Sequence, residues 1–201
     1  VSVTVFVEGG GDHNKALQTE CRRGFSQLFR KAGLEGRMPR VVACGGREQA
    51  YRDFRTTNEK GNENVVLLVD SEGPVEDSSP WEHVRKRIGD GWERPSGATE
   101  DQLQFMVQTM EAWFHGDREE LRKFYGQSFQ ENALSSRPDI ESIPKAELIS
   151  GLRAATKNCS KGEYSKGGHS FKLLERIDPT KVRAGSAWAE RLLAALERMC
   201  R

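Results

Sequence analysis

The chain opens on alternating, β-branched residues from Val1 to Val7, a pattern that predicts a strand. Gly9 to Gly11 break it. From about Asn14 to Ala32 the apolar positions Leu17, Cys21, Phe25, Leu28, Phe29 and Ala32 recur at helical spacing, and Gly33 suits the stop. Arg40 to Cys44 reads as a second short strand. Gly45 and Gly46 then turn the chain into a helix that carries Ala50, Tyr51 and Phe54. Val65 to Val69 is an unbroken apolar run, as expected of a central strand buried on both faces. Strand, helix, strand, helix, strand predicts an α/β fold, a mostly parallel sheet with right-handed crossovers and helices on its faces.

Beyond Glu72 the pattern loosens. Pro74, Pro80 and Pro95 bracket a short helix near Trp81 to Ile88. Leu103 to Met110 fits a fourth strand, with Phe105 and Val107 on one face and Glu111 and Trp113 following. Asp117 suits the N-cap of a helix running to Tyr125, with Glu119 and Glu120 in its first turn. From Pro144 the chain turns helical, with Leu148, Leu152 and Ala155 on one face. A basic, glycine-rich stretch from Lys157 to His169 reads as a flexible loop, and helices near Phe171 to Arg176 and Ser186 to Met199 close the chain. Residues 1–126 are thus expected to form the sheet-bearing core, and 127–201 a mainly helical extension packed on it rather than an independent domain.

Composition narrows the function classes. With 31 basic and 30 acidic residues the net charge is +1, so the whole molecule is no electrostatic magnet for nucleic acid, although a local basic patch is compatible with it. Cys21, Cys44, Cys159 and Cys200 are scattered without zinc-ligand spacing and read as reduced thiols of a cytoplasmic protein. No apolar run approaches the ~20 residues that span a bilayer, so no membrane association is expected.

The candidate chemistry lies at strand ends. Glu8 follows the first strand in Val-Glu-Gly-Gly-Gly-Asp, and Asp70 and Glu72 follow the third in Leu-Leu-Val-Asp-Ser-Glu-Gly. C-terminal strand ends line one edge of a parallel sheet, so these carboxylates can meet at one cation. In extended geometry residues two apart point the same way, which would aim Asp70 and Glu72 together. An acid beside exposed glycine amides argues against direct phosphate binding there. It argues for an oxygen-liganded divalent ion, Mg²⁺ or Mn²⁺, between protein and phosphate. Taken singly, Glu8 reads equally as a solvated turn acid and Asp70 as a capping residue. Lys161, Lys166 and His169 are basic candidates in the glycine-rich stretch, with a solvated basic loop as the plainer reading of each. Arg22, Arg23, Arg47 and Arg52 border the same sheet edge as candidate phosphate contacts.

Glu-Gly on a first strand followed by Asp-x-Asp/Glu on a later hydrophobic strand resembles the TOPRIM domain of topoisomerases, bacterial primases and small nucleases. Cys-Arg-Arg-Gly-Phe, Met-Val-Gln-Thr-Met-Glu-Ala-Trp-Phe and Tyr-Ser-Lys-Gly-Gly-His-Ser extend the likeness to small bacterial RloG-type TOPRIM-like proteins found beside AAA or ABC-type ATPases. The resemblance implies a Rossmann-like TOPRIM fold. It implies Glu8 as a metal ligand or general acid/base, Asp70 and Glu72 as the metal pair, and Asp12 as ligand of a second metal. Glu111 becomes a further ligand candidate, against a structural hydrogen bond. Lys166 is the candidate for stabilising the transferred phosphoryl group. Glu72 stands where many TOPRIM proteins carry Asp. None of Tyr51, Tyr125 and Tyr164 can be assigned as a topoisomerase-type nucleophile. The implied activity is metal-dependent cleavage of DNA or RNA, as the effector of an ATPase-linked bacterial phage-defence system. The rival expectation is a non-catalytic subunit that docks to the ATPase. Whether the chain forms a homo-oligomer is left open.

Overall fold

A computed structural model describes residues 2–201, so Val1, the first residue of the expected opening strand, lies outside the described residues. The elements run β1 (Thr4–Val7), α1 (Lys15–Phe29), β2 (Arg40–Ala43), α2 (Arg47–Glu59), β3 (Val65–Asp70), α3 (Pro80–Lys86), β4 (Leu103–Met106), α4 (Glu111–Gly116), α5 (Arg118–Tyr125), α6 (Lys145–Thr156), α7 (Lys166–Leu174), α8 (Pro179–Gly185) and α9 (Ala187–Met199). The chain is α/β, with a four-stranded sheet in the order β2-β1-β3-β4. Every pairing is parallel. Helices flank the sheet and the C-terminal part is helical, a Rossmann-like arrangement.

The elements form where the side chains demand them. All six residues of β3 are buried, since it pairs with β1 on one side and β4 on the other. α1 starts where Asn14 accepts the Leu17 N–H at 3.0 Å, and its buried face is Cys21, Gly24, Phe25, Leu28 and Phe29. Its axis ends at Phe29, and a wider turn containing Gly33 at φ 91° carries the chain to Leu34. α5 and α9 start at capping side chains, Asp117 accepting from Glu120 N at 3.3 Å and Ser186 from Ala189 N at 3.0 Å.

Two expectations change. The fourth strand stops at Met106 rather than Met110. Residues 107–110 leave the ladder because Met110 N and the Thr109 hydroxyl both turn to Asp70, and α4 then begins at Glu111. Lys166 does not sit in a flexible loop. It opens α7, which packs on α1 so closely that a Cβ at Gly24 would lie 2.9 Å from the Phe171 carbonyl oxygen. The helical extension shares one apolar core with the sheet: Leu152, Leu174, Leu193 and Leu196 belong to the same buried cluster as Val5, Phe25 and Val66.

Candidate metal centre

Register decides what the strand ends bring together. Val7 pairs with Leu68, so Glu8, one residue on, and Asp70, two residues on, leave adjacent central strands at the same edge. Glu8, Asp70 and Glu72 each offer an oxygen, and those oxygens lie within 4.8 Å of one another. Among the described residues this is the one group of at least three acids, histidines or cysteines that could hold an ion.

Glu72 arrives by an unforeseen route. It does not follow the strand's alternation from Asp70, because the strand has ended. Its φ of 65° is left-handed, a conformation that costs a non-glycine residue. Two contacts fix it there. Its N–H donates to Gln108 O at 2.9 Å, and Lys145 Nζ donates to both carboxylate oxygens at 2.6 Å.

Asp70 is buried and held on both oxygens: Met110 N donates to Oδ1 at 2.9 Å, and Thr109 Oγ1 lies 2.9 Å from Oδ2. The same hydroxyl is 2.6 Å from Glu111 Oε2. A hydroxyl carries one proton, and two ionised carboxylates would both need it. The two carboxylates therefore compete for it. Burial, followed by the charge of Glu8, pushes the Asp70 carboxyl up to about 7. Burial also raises Glu8, with Arg47 opposing the shift.

Glu8 Oε2 accepts from Arg47 Nη1 at 3.2 Å and from Asp70 N at 3.2 Å. Arg47 also donates to the Asp70 carbonyl and grips Asp90 with two bonds at 2.8 and 2.7 Å. It is spent on the scaffold, so it corrects the expectation of a phosphate contact. Arg22 and Arg23 bond to Thr19 and Glu175, and Arg52 to Glu48, all on the exposed surface.

Asp12 is not brought to the cluster. Its Oδ1 accepts the Gly46 N–H at 2.9 Å at the start of α2, a capping role that accounts for its place after the glycine turn. Glu111 is fully buried beside the cluster, tied to Thr109 and to the Tyr164 hydroxyl at 2.7 Å. Burial and Glu111 raise the Tyr164 phenol, so it stays a neutral donor. Lys166 Nζ lies 3.7 Å from Asp70 and 3.6 Å from Glu111. Burial alone would lower this ammonium, but Asp70, Glu111, Glu72 and Glu8 outweigh it and raise its pKa. Lys161 instead lies over the Phe124 ring at 5.2 Å, and His169 Nδ1 is 3.1 Å from the Tyr125 hydroxyl. Trp113 is core, packed edge-on against Phe25.

Lys145, Thr109 and the supporting role of Tyr164 escape sequence reasoning. The position of Lys145 just after Pro144 marks a helix start but not its target. Tyr164 stands two residues before Lys166 in the glycine-rich element, the one local sign that the pair could face one site.

Residues 7–197 match a family described as a domain of unknown function, DUF4276. The chain belongs to that family. No curated protein and no solved structure matches it. The match takes in Glu8, Asp70, Glu72, Lys145 and Lys166, so the whole cluster lies inside this DUF4276 domain. Among the described residues no helix is long and apolar enough to cross a membrane, and the four cysteines are free thiols.

The donor set fits a hard divalent cation. All three ligand candidates are carboxylates, and burial, with a lesser push from the neighbouring acids, raises Glu8 and Asp70.

Proposed function

We propose that this chain is a Mg²⁺- or Mn²⁺-dependent nuclease of TOPRIM type, cleaving phosphodiester bonds as the effector of an ATPase-linked bacterial defence system in the cytoplasm. The observation that carries it is the meeting of Glu8, Asp70 and Glu72 at adjacent parallel strand ends, with the half-exposed ammonium of Lys166 beside them. The resemblance to TOPRIM proteins supplies the defence role and the ATPase partner.

A divalent cation held by Glu8, Asp70 and Glu72 would neutralise phosphoryl charge and make water a better nucleophile. The chain's own groups do the rest. Lys166 is positioned to balance negative charge on a phosphoryl group docked at the acids. Thr109 and Met110 N hold Asp70 in one orientation, and Tyr164 holds Glu111. Arg47 holds Glu8 through its Oε2. Burial of Asp70 and Glu111 keeps bulk water from that side.

Purified protein incubated with Mn²⁺ and plasmid, single-stranded DNA or transfer RNA, alone and with the neighbouring ATPase, tests this. Cleavage that is lost in Glu8→Gln and Asp70→Asn is the expected result; cleavage unchanged in both sinks the assignment. A second reading, a non-catalytic ATPase-docking subunit, has its own support. Lys145 occupies both oxygens of Glu72, so the cluster is partly neutralised from within the chain. Intact nucleic acid in every condition, with a stable ATPase complex, would favour it.

A further inference from the structure

A cavity of about 200 Å³ opens directly beside the acids. Its lining combines the charged Glu8, Asp70 and Lys166 with the apolar Leu17, Met106, Met110 and Phe171, beside glycine backbone and Ser170, whose hydroxyl is committed to the Lys166 carbonyl. The wall belongs to three elements that the core fixes, α1, α7 and the end of β4 with the turn after it, so the space is built into the fold. Polar hydrolytic sites need no apolar recess. Its presence within reach of the phosphoryl position points to a ligand with a charged end and an apolar end.

Size selects the apolar end. The cavity is smaller than the roughly 300–1,000 Å³ of sites that enclose drug-sized ligands. It therefore takes one ring system and excludes a base pair.

We propose that this cavity binds a single unpaired nucleobase, attached to a phosphate held by Lys166 and by a cation at Glu8 and Asp70, so that the substrate is single-stranded nucleic acid or a frayed end. The proposal rests on the nuclease reading for its phosphate but adds a specificity pocket to it. Duplex substrate would have to give up one base from its stack to dock, as in enzymes that extrude a base before acting on it. Leu17, Met106, Met110 and Phe171 offer no hydrogen-bond code, so recognition would be by shape and apolar contact and would tolerate different bases.

Gly167 gives a clean probe. It lines the cavity, and a Cβ built there meets nothing within 4 Å. Gly167→Leu therefore adds bulk at the mouth without forcing the fold, and circular dichroism confirms that the helix content stands. The measurement is calorimetric titration of adenosine 5′-monophosphate against ribose 5-phosphate, which keeps the sugar and phosphate and lacks the base. Each titration is run with Mn²⁺ and with EDTA. A base contact of ordinary strength makes the nucleotide bind about 5- to 150-fold tighter. In Gly167→Leu that ratio is expected to fall toward one, with Mn²⁺ binding unchanged. Equal affinity for the two ligands in the unaltered protein, a ratio unmoved by Gly167→Leu, or no nucleotide binding in either condition overturns the pocket. Mn²⁺ binding that persists beside any of these results leaves the metal centre standing. A base-dependent ratio without cleavage of any nucleic acid keeps the pocket and removes the nuclease reading instead.

Discussion

The sheet and the helical extension meet at the site with opposite charge and different permanence. From the sheet edge come Glu8 and Asp70, set by strand ends whose register is locked by neighbouring backbone bonds, and Glu72 from the turn just after β3. From the extension come Lys145 at the start of α6 and Lys166 at the start of α7. The acids cannot move apart, so their mutual repulsion is built in. The lysines are held by their tips alone and keep 33% and 53% of their side-chain surface exposed. A third cation, Arg47, starts α2 within the core region and is 13% exposed, gripping Asp90, which is 2% exposed. The contrast teaches that the rigid half stores the electrostatic demand, while the extension answers it with groups that can be exchanged for a metal or a substrate.

Removing an acid from the rigid half gives the largest expected effect. Asp70→Asn should lower cleavage by more than the roughly 10–100-fold that follows loss of an outer-shell partner, read as initial rates with Mn²⁺. Its stability should move the other way. The new amide can donate to Thr109 Oγ1, leaving the hydroxyl's single proton for Glu111, and one buried charge is gone. The melting temperature in EDTA should hold or rise; a drop of several degrees would show that the acids are not in conflict.

Arg47→Met comes next, because it strands Glu8 without its cation and leaves Asp90 with Arg87 alone. Breaking a buried pair by removing one partner costs about 3–5 kcal/mol, which for a chain of this size lowers the melting temperature by roughly 6–20 °C. Lys123→Ala, which breaks an exposed helical pair with Glu119, should leave the melting temperature nearly unchanged. Similar losses in the two variants would remove the distinction between fixed and exchangeable cations.

The acid half was legible in the sequence because its signals are local. An apolar run ending in Asp70 says where the strand stops and which edge the acid joins. The order of strands and helices then puts Glu8 beside it. Asp117 likewise showed its capping role through its own neighbours. Glu72 joins the other two acids by a geometry that strand alternation does not describe, since a left-handed residue ends the pattern. Asp12 lies apart from them, because a glycine turn can aim an acid at a metal or at the next helix's N–H, and the sequence around it is the same for both. Lys145 was invisible: its partner lies 73 residues away, and only the packing of the extension sets the distance. The stop of β4 at Met106 escaped for the same reason, as Thr109 and Met110 turn toward an acid on another strand.

Acidity should then modulate the rigid half by smaller steps. The folded pKa of Asp70, about 7, lies above its ordinary 3.8, so the folded chain keeps a proton that the unfolded chain has released. In metal-free protein this contribution to stability is present at low pH and is lost as pH climbs from about 4 to about 7. A cation must displace that proton. Mn²⁺ affinity should rise about tenfold per pH unit up to 7 and level off above it. Affinity flat from pH 5.5 to 8 would mean that Asp70 is ionised before the metal arrives.

The extension's lysines allow the finest test. In the metal-free chain Lys145 neutralises Glu72 through both oxygens, so a cation entering the cluster competes with it. Partly exposed pairs of this kind contribute up to about 1 kcal/mol, which corresponds to roughly fivefold in a binding constant. Lys145→Met should therefore tighten Mn²⁺ binding by up to that factor, measured by titration at pH 7.5, where Asp70 is mostly ionised. Two forces oppose each other here. The ammonium competes for Glu72, but it also holds that residue in its left-handed conformation, facing Glu8 and Asp70. Tighter binding shows that competition dominates and that the extension acts as a displaceable counter-ion. Weaker binding shows that positioning dominates, and Lys145 would then belong with Arg47 among the fixed supports. A double variant, Glu72→Gln with Lys145→Met, checks that either force acts through Glu72, because without the carboxylate the lysine can neither compete for it nor hold it, and its removal should leave affinity where Glu72→Gln alone puts it.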